Sequence, residues 1–203
     1  MRRSEFDVSD PEKIKSVLNE CEYGVLSLIS EGEPYGMAVN FAYIDGVIYF
    51  HGSLEGRKAE AIGLGTNASF MVVKPYAFIP SYFSDTRSAS PATQFFASVY
   101  ISGHVVLLND SKEKAFGLTA LMEKMQPEGG YDPIDAKNPI YTKMLEKTGV
   151  YKIVPNVMTL KLKAGQNLSK ERYDILVQHL EKRDGAESET VQLVQSIRAE
   201  ARI

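Results

Sequence analysis

The chain has a single cysteine, Cys21, so no disulfide can close within it. That fits a reducing, cytoplasmic setting. Cys21 stands near the end of a helical stretch and before an apolar run, which suits a small buried hydrophobe better than a reactive thiol. No apolar run approaches the ~20 residues that span a bilayer, so no membrane partner is expected. Basic Arg2 and Arg3 are followed by Ser4-Glu5-Phe6-Asp7 and not by an apolar segment, so no secretory signal is expected. The formal net charge of −3 lacks the cationic excess that sequence-independent nucleic-acid binding needs. It leaves room for one local basic pocket that takes a single phosphate. The three histidines, His51, His104 and His179, are far apart and lack metal-ligand spacing, so no metal site is expected. Gly52 and Gly56 are not followed by Ser or Thr after Lys58, which excludes a P-loop. Gly63-Leu64-Gly65 lacks a third glycine and opens no βαβ unit, which excludes a Rossmann fingerprint. No Ser-His-Asp order or paired-carboxylate signature stands out. Asn67-Ala68-Ser69 has the glycosylation pattern, which a cytoplasmic chain would not use.

What is present is ordinary globular material: 203 residues, 44% apolar and 24% charged. That length suits one domain, or one domain with an appendage. Ser9-Asp10-Pro11-Glu12 opens a helix, with Ser9 as cap and Glu12 completing a capping box. Tyr23 to Ile29 is the first strand, Glu31-Gly32-Glu33-Pro34 a turn, and Tyr35 to Ile44 the second strand. Asp45-Gly46 is the preferred dipeptide of a type I′ hairpin, returning the chain along Val47 to His51. Three antiparallel strands in about 30 residues make a meander, not βαβ units. Gly56 to Leu64 reads as a short helix, Ala68 to Val73 as a fourth strand, and Lys74 to Pro91 as an irregular loop. Phe95 to Leu108 is a long strand in which Gly103 marks a bulge or a close approach. Ser111 to Met125 and Ile140 to Lys147 are helical, and Val150 to Leu162 is the last strand. From Ser169 two amphipathic helices carry the stripes Tyr173, Leu176, Val177, Leu180 and Val191, Val194, Ile197. The expected class is therefore mainly β: a six-stranded antiparallel barrel with flanking helices. Residues 1–164 form the barrel domain and 165–203 a C-terminal helical extension that packs on the barrel or on a partner.

The most informative stretch is Tyr49-Phe50-His51-Gly52-Ser53-Leu54-Glu55-Gly56-Arg57-Lys58. A strand ends, a glycine-containing turn follows, and two adjacent cations occupy the first turn of a helix. Cations are unfavourable at a helix N-terminus. Either Arg57 and Lys58 are a solvated pair on a surface helix, or an anion sits between them, held by a bidentate guanidinium with help from Ser53 and His51. His51 is equally open to a packing role and to cofactor or substrate contact. His104, alternating with apolar residues, reads as a barrel histidine whose hydrogen bonds are satisfied, and His179 as solvent-facing. Tyr76, Phe78, Tyr82 and Phe83 read as core or as a lid, and Phe95 as core.

Taken together, several segments resemble the pyridoxamine-phosphate-oxidase-like split-barrel flavoproteins, and within them the branch related to 5-nitroimidazole resistance proteins. The segments are Met1-Arg2-Arg3 with Ser9-Asp10-Pro11, Gly32-Glu33-Pro34-Tyr35 leading to Val39-Asn40-Phe41, Asp45-Gly46, Ile48-Tyr49-Phe50-His51, Gly56-Arg57-Lys58 and Ala97-Ser98-Val99-Tyr100-Ile101-Ser102-Gly103-His104. The resemblance implies a split barrel that dimerises, with one flavin mononucleotide (FMN) in each groove between subunits. It implies that Arg57 and Lys58 hold the phosphate and that Phe50, His51, Gly52 and Ser53 line the same pocket. Met37, Ala38, Val39 and Asn40 would run along the isoalloxazine, and Ser98 and Val99 would complete the groove from the partner. It further implies an oxidoreductase that takes hydride from NAD(P)H and reduces a small planar acceptor such as a nitroaromatic, with His51 as the candidate catalytic contact. Gly36 to Phe41 carries no charge where true pyridoxamine-phosphate oxidases are basic, which argues against pyridoxal phosphate synthesis. Two other readings compete: a flavin-binding regulator or store without turnover, and a haem-handling barrel liganded by His51 or His104.

Overall fold

The computed structural model describes residues 3–200, so Met1, Arg2 and the last three residues lie outside the described residues. Eight strands and six α-helices alternate along the chain. They are β1 (Asp7–Val8), α1 (Pro11–Glu20), β2 (Tyr23–Ser30), β3 (Glu33–Asn40), β4 (Ala42–Ile44), β5 (Val47–Gly52) and α2 (Arg57–Ile62), followed by β6 (Gly65–Ile79), β7 (Thr93–Leu107), α3 (Ser111–Met125), α4 (Pro139–Lys147), β8 (Gly149–Lys163), α5 (Lys170–Asp184) and α6 (Glu189–Glu200). The sheet runs β3-β2-β6-β7-β8-β5-β4, with β1 paired to β8, and the β1–β8, β2–β3, β2–β6, β4–β5 and β5–β8 ladders are antiparallel. This is the mainly β class expected, with eight strands rather than six.

One extra strand is the short β1, and the other comes from a break in an expected strand. The single strand expected from Tyr35 to Ile44 breaks at Phe41. Residues before it pair with β2, as Asn40 does with Tyr23, and residues after it pair with β5, as Ala42 does with Tyr49. Phe41 is fully buried and meets Phe70 edge-to-face at 5.0 Å, so the core pulls it out of the ladder. The Lys74–Pro91 loop is also shorter than expected. β6 continues through Pro75 to Ile79, with Ala77 and Ile79 buried on alternate positions. A proline can sit in a strand where its missing N–H has no ladder partner.

Two compact units divide the chain: Asp10–Val72 with Val99–Thr159, and Met1–Ser9 with Val73–Ser98 and Leu160–Ile203. In the first, α1 is capped by Asp10, whose carboxylate accepts from the Glu12 amide at 2.9 Å. The cap is therefore Asp10 and not Ser9, because Pro11 occupies the first helical position and fixes the residue before it. Both β-hairpins are two-residue turns. Glu31-Gly32 and Asp45-Gly46 all have positive φ, as a type I′ turn requires. α3 packs Ala115, Leu118 and Leu121 on Tyr49 and Val150. Buried Lys114 donates to the carbonyls of Leu145 and Thr148, satisfying the C-terminal end of α4.

In the second unit, β1 pairs Asp7 with Lys161 and Val8 with Leu160. Ser169 caps α5 through the Arg172 amide. Leu176, Leu180, Val191, Val194 and Ile197 are buried, as their spacing predicts. His179 is not the solvent-facing residue expected: its ring stacks on buried Phe83 at 4.4 Å. Phe95 is core, and Phe83 is core as well, while Phe78 and Tyr82 are exposed. No helix among the described residues is long and apolar enough to cross a membrane.

Gly103 marks a close approach, as the sequence suggested. A Cβ there would lie 2.3 Å from the Val154 carbonyl oxygen and 3.0 Å from Pro155 Cα. Backbone cannot step aside as a flexible side chain does, so Gly103→Ala is expected to cost about 1–3 kcal/mol of stability. A urea unfolding midpoint unchanged by this substitution would contradict the geometry.

Candidate functional site

β3 is the terminal strand of the sheet and pairs only with β2. β5 pairs with β4 only through Val47–Tyr49, so from Phe50 to Gly52 its strand neighbour is β8 alone. Between these two strand edges opens a cleft of about 400 Å³ lined by Tyr23, Tyr35, Met37, Ala38, Val39, Asn40, His51 and Lys58. Six of the residues singled out in the sequence thus converge on one cleft. Strand alternation explains part of this. Tyr35, Met37 and Val39 share one face of β3 and are half-buried, while Ala38 is exposed on the other. Asn40 is oriented by donating from Nδ2 to the Glu22 carbonyl at 3.2 Å.

The corner from β5 to α2 supplies the charge. Gly56 precedes α2 with φ of +89°, a conformation open to glycine and costly for other residues. It swings Arg57 and Lys58 to different supports. Arg57 donates from Nε to the buried Ser30 Oγ at 3.0 Å, and its guanidinium lies 4.3 Å above the Tyr35 ring. Lys58 reaches back over the stacked pair Phe50 and Tyr151, with its Nζ 4.7 Å from the Tyr151 ring. Room for this comes from Gly52, where a Cβ would lie 1.9 Å from the Lys58 amine. The Tyr151 hydroxyl donates to the Ser53 carbonyl at 2.9 Å, and Ser53 Oγ accepts from the Glu55 amide at 3.0 Å, which fixes the turn.

The remaining expected residues occupy other places. Arg57 does not line the cleft itself but backs Tyr35, which does. Phe50 is fully buried and supports Lys58 from below. Val99 points into the core with no exposure, and half-buried Ser98 precedes it; neither lines the cleft. His104 lies on a strand and has a hydrogen-bond partner, as expected of it. It faces outward on β7 and meets Asn67 Oδ1 at 3.2 Å through Nδ1. Sequence reasoning missed Tyr23, Tyr35, Ser30 and Tyr151. Tyr35 was within reach, since it alternates with Met37 and Val39. Ser30 and Tyr151 depend on partners 27 and 98 residues away.

Burial holds the Lys58 pKa below the ordinary lysine range. His51 is solvent-accessible at its strand end, yet packing around the imidazole, and then the Lys58 ammonium, keep its pKa below that of an ordinary histidine. At neutral pH the ring is therefore neutral, one nitrogen donating and the other accepting. The β3 edge can offer amides and carbonyls to a flat ring, Met37 and Val39 offer apolar contact, and Lys58 offers a counter-charge for an anion, with Arg57 behind Tyr35.

These features define a mainly β protein whose antiparallel sheet carries a cleft beside its terminal strand. The chain belongs to the pyridoxamine 5'-phosphate oxidase family, whose model matches residues 10–162, about three quarters of its length. Solved structures of the same fold include three from bacteria. A putative 5-nitroimidazole antibiotic resistance protein from Bacteroides thetaiotaomicron VPI-5482 is 20% identical with a TM-score of 0.61, covering 76% of this chain and 85% of that one. The flavocytochrome Anf3 from Azotobacter vinelandii is 23% identical with a TM-score of 0.67, covering 83% and 75%. The FAD and heme binding protein from Mycobacterium smegmatis is 18% identical with a TM-score of 0.67, covering 83% and 79%. No curated protein matches the chain in sequence.

The electrostatics make a direct prediction. Proton NMR of the imidazole should place the His51 midpoint below that of ordinary histidines. Lys58→Met removes a repelling charge and should raise it, though burial keeps it low. As pH falls, the unfolded chain takes up this proton first, so acidification through that range should lower stability. A midpoint that Lys58→Met leaves unmoved would contradict the arrangement.

Proposed function

We propose that the chain is an FMN-binding oxidoreductase, working as a homodimer in the cytoplasm. The observation that carries this is the cleft between the free edges of β3 and β5, closed at one end by Lys58. An isoalloxazine needs a flat slot with hydrogen-bonding edges, and the backbone from Met37 to Asn40 supplies both. A terminal phosphate needs charge-assisted donors, which Lys58 and the Arg57 guanidinium provide. Family membership supports a cofactor of this kind. The flavin, when bound, would supply the redox chemistry, taking hydride from NAD(P)H and passing it to a small planar acceptor such as a nitroaromatic. The protein's part would be to bind, orient and polarise. Neutral His51 would offer a hydrogen bond to cofactor or acceptor. The uncharged run Gly36 to Phe41 offers no second anion site, which separates this reading from pyridoxal phosphate synthesis.

The test is direct. Purified chain should be yellow, and Arg57→Ala with Lys58→Ala should weaken FMN at least tenfold, since each lost charge-assisted bond costs ~1.5–3 kcal/mol. NADH or NADPH should bleach the flavin and a nitroimidazole should restore its colour. Unchanged FMN affinity in the double variant would refute the phosphate site. A flavin that no nicotinamide reduces would favour a regulator or store. A Soret band in place of flavin absorption would favour the haem-handling reading.

The dimer rests on the outer face of β2. Val25 is 48% exposed and pairs across the sheet with Ala38 and with Met71, itself 40% exposed, beside exposed Tyr23. This apolar surface borders the cleft through Tyr23 and Ala38, as an interfacial cofactor would require. Val25→Glu is expected to convert the dimer to monomer in sedimentation velocity and to weaken FMN with it. A wild-type chain that sediments as a monomer at high concentration would exclude this part of the proposal.

A further inference from the structure

His51 lines two cavities, one that carries Lys58 and Asn40 and one that is almost wholly apolar. One is the cleft described above. The other, of about 390 Å³, shares His51 with it and is walled by α3, α4 and the segment between them. Leu118 and Leu121 of α3 form its floor, Met144 of α4 one side, and Tyr131 and Ile134 of the connecting segment the other. None of its lining residues is Asp, Glu, Lys or Arg. The Lys114 ammonium of α3 is turned to the carbonyls of Leu145 and Thr148.

We propose that this second cavity is the binding site for the acceptor: an uncharged, flat, largely apolar small molecule whose one polar group meets His51. Its role as an acceptor site rests on the flavin reading above; its selectivity for neutral ligands does not. The volume is that of a small-molecule pocket. An ionised ligand would face Leu118, Leu121 and Met144 with no charged side chain in the lining, which is costly. A neutral imidazole can either donate to a carbonyl or nitro oxygen or accept from a hydroxyl or amide. The walls are of two kinds. α3 belongs to the packed core through Ala115, Leu118 and Leu121. Residues 126–138 have no regular structure, turn through Gly129 and Gly130 at positive φ, and are held by the Tyr141 hydroxyl donating to the Asp132 carbonyl. Connections of that length inside a compact domain commonly carry binding residues. Here they contribute Tyr131 and Ile134.

The experiment uses the full chain and two probes of matched shape, 2-naphthamide and 2-naphthoate, displacing the neutral fluorophore N-phenyl-1-naphthylamine at neutral pH. The amide is expected to bind at least about tenfold more tightly than the carboxylate. Ile134→Trp, which fills the cavity, and Met144→Glu, which charges it, should each weaken the amide by a similar factor and leave FMN affinity unchanged. Equal affinity for amide and carboxylate overturns the proposal, and so does unchanged amide affinity in both variants. If a variant fails to fold, the amide–carboxylate comparison on the wild type still decides. A chain that binds the amide selectively but takes no FMN sinks the flavin reading and leaves the neutral cavity standing. A chain that binds FMN but does not discriminate between the probes sinks this inference alone.

Discussion

Phe41 sits where the chain leaves one ladder and joins another, and the cleft exists because of that break. Its ring is fully buried against Phe70. Burying such a side chain contributes roughly 1.5–3 kcal/mol, enough to outweigh a continuous strand at that point. The Lys124 ammonium lies 3.8 Å from the Phe41 ring centre and donates to the carbonyls of Leu18 and Cys21. α3, the end of α1 and the broken strand are thereby tied at one place. The lysine gives up solvent to do this: burial, partly offset by Cys21 and Glu22, lowers its pKa to about 8. With β3 and β4 sent to opposite ends of the strand order, β3 keeps an edge without a strand neighbour, and that edge lines the cleft.

Around the cleft, charge is placed by indirect means. α2 is only six residues long, so its dipole offers little for an anion. The cations themselves must do the holding, and each is fixed by an uncharged support: Arg57 by Ser30 and the Tyr35 face, Lys58 by the Phe50–Tyr151 stack. Neither support adds a competing carboxylate. That makes the corner a better receiver of an outside anion than an Arg–Glu or Lys–Asp pair would be.

Much of this was legible in the residues because it is local. Asp45-Gly46 forms the expected turn, α3 spans the expected Ser111–Met125, and five of the seven apolar stripe residues after Ser169 are buried. Met37 to Asn40, His51 and Lys58 were marked for one pocket and do meet in one cleft. The errors share a cause. Pro75 looked like a loop because proline is a local breaker, but a strand with the right neighbour tolerates it. His179 looked solvent-facing because it lies on an outer helix, but its ring stacks on Phe83, far away in the chain. Ser30, Tyr151 and the apolar cavity lined by His51 exist only once distant segments pair, and short-range periodicity carries no trace of them.

The missing Cβ at Gly52 has a thermodynamic consequence. It lets the Lys58 amine fold over two aromatic rings, where desolvation loosens its grip on a proton. An anion that docks beside such a group strengthens that grip, and by reciprocity the retained proton strengthens the docking. The two events become one coupled equilibrium, written into the fold by the smallest side chain available.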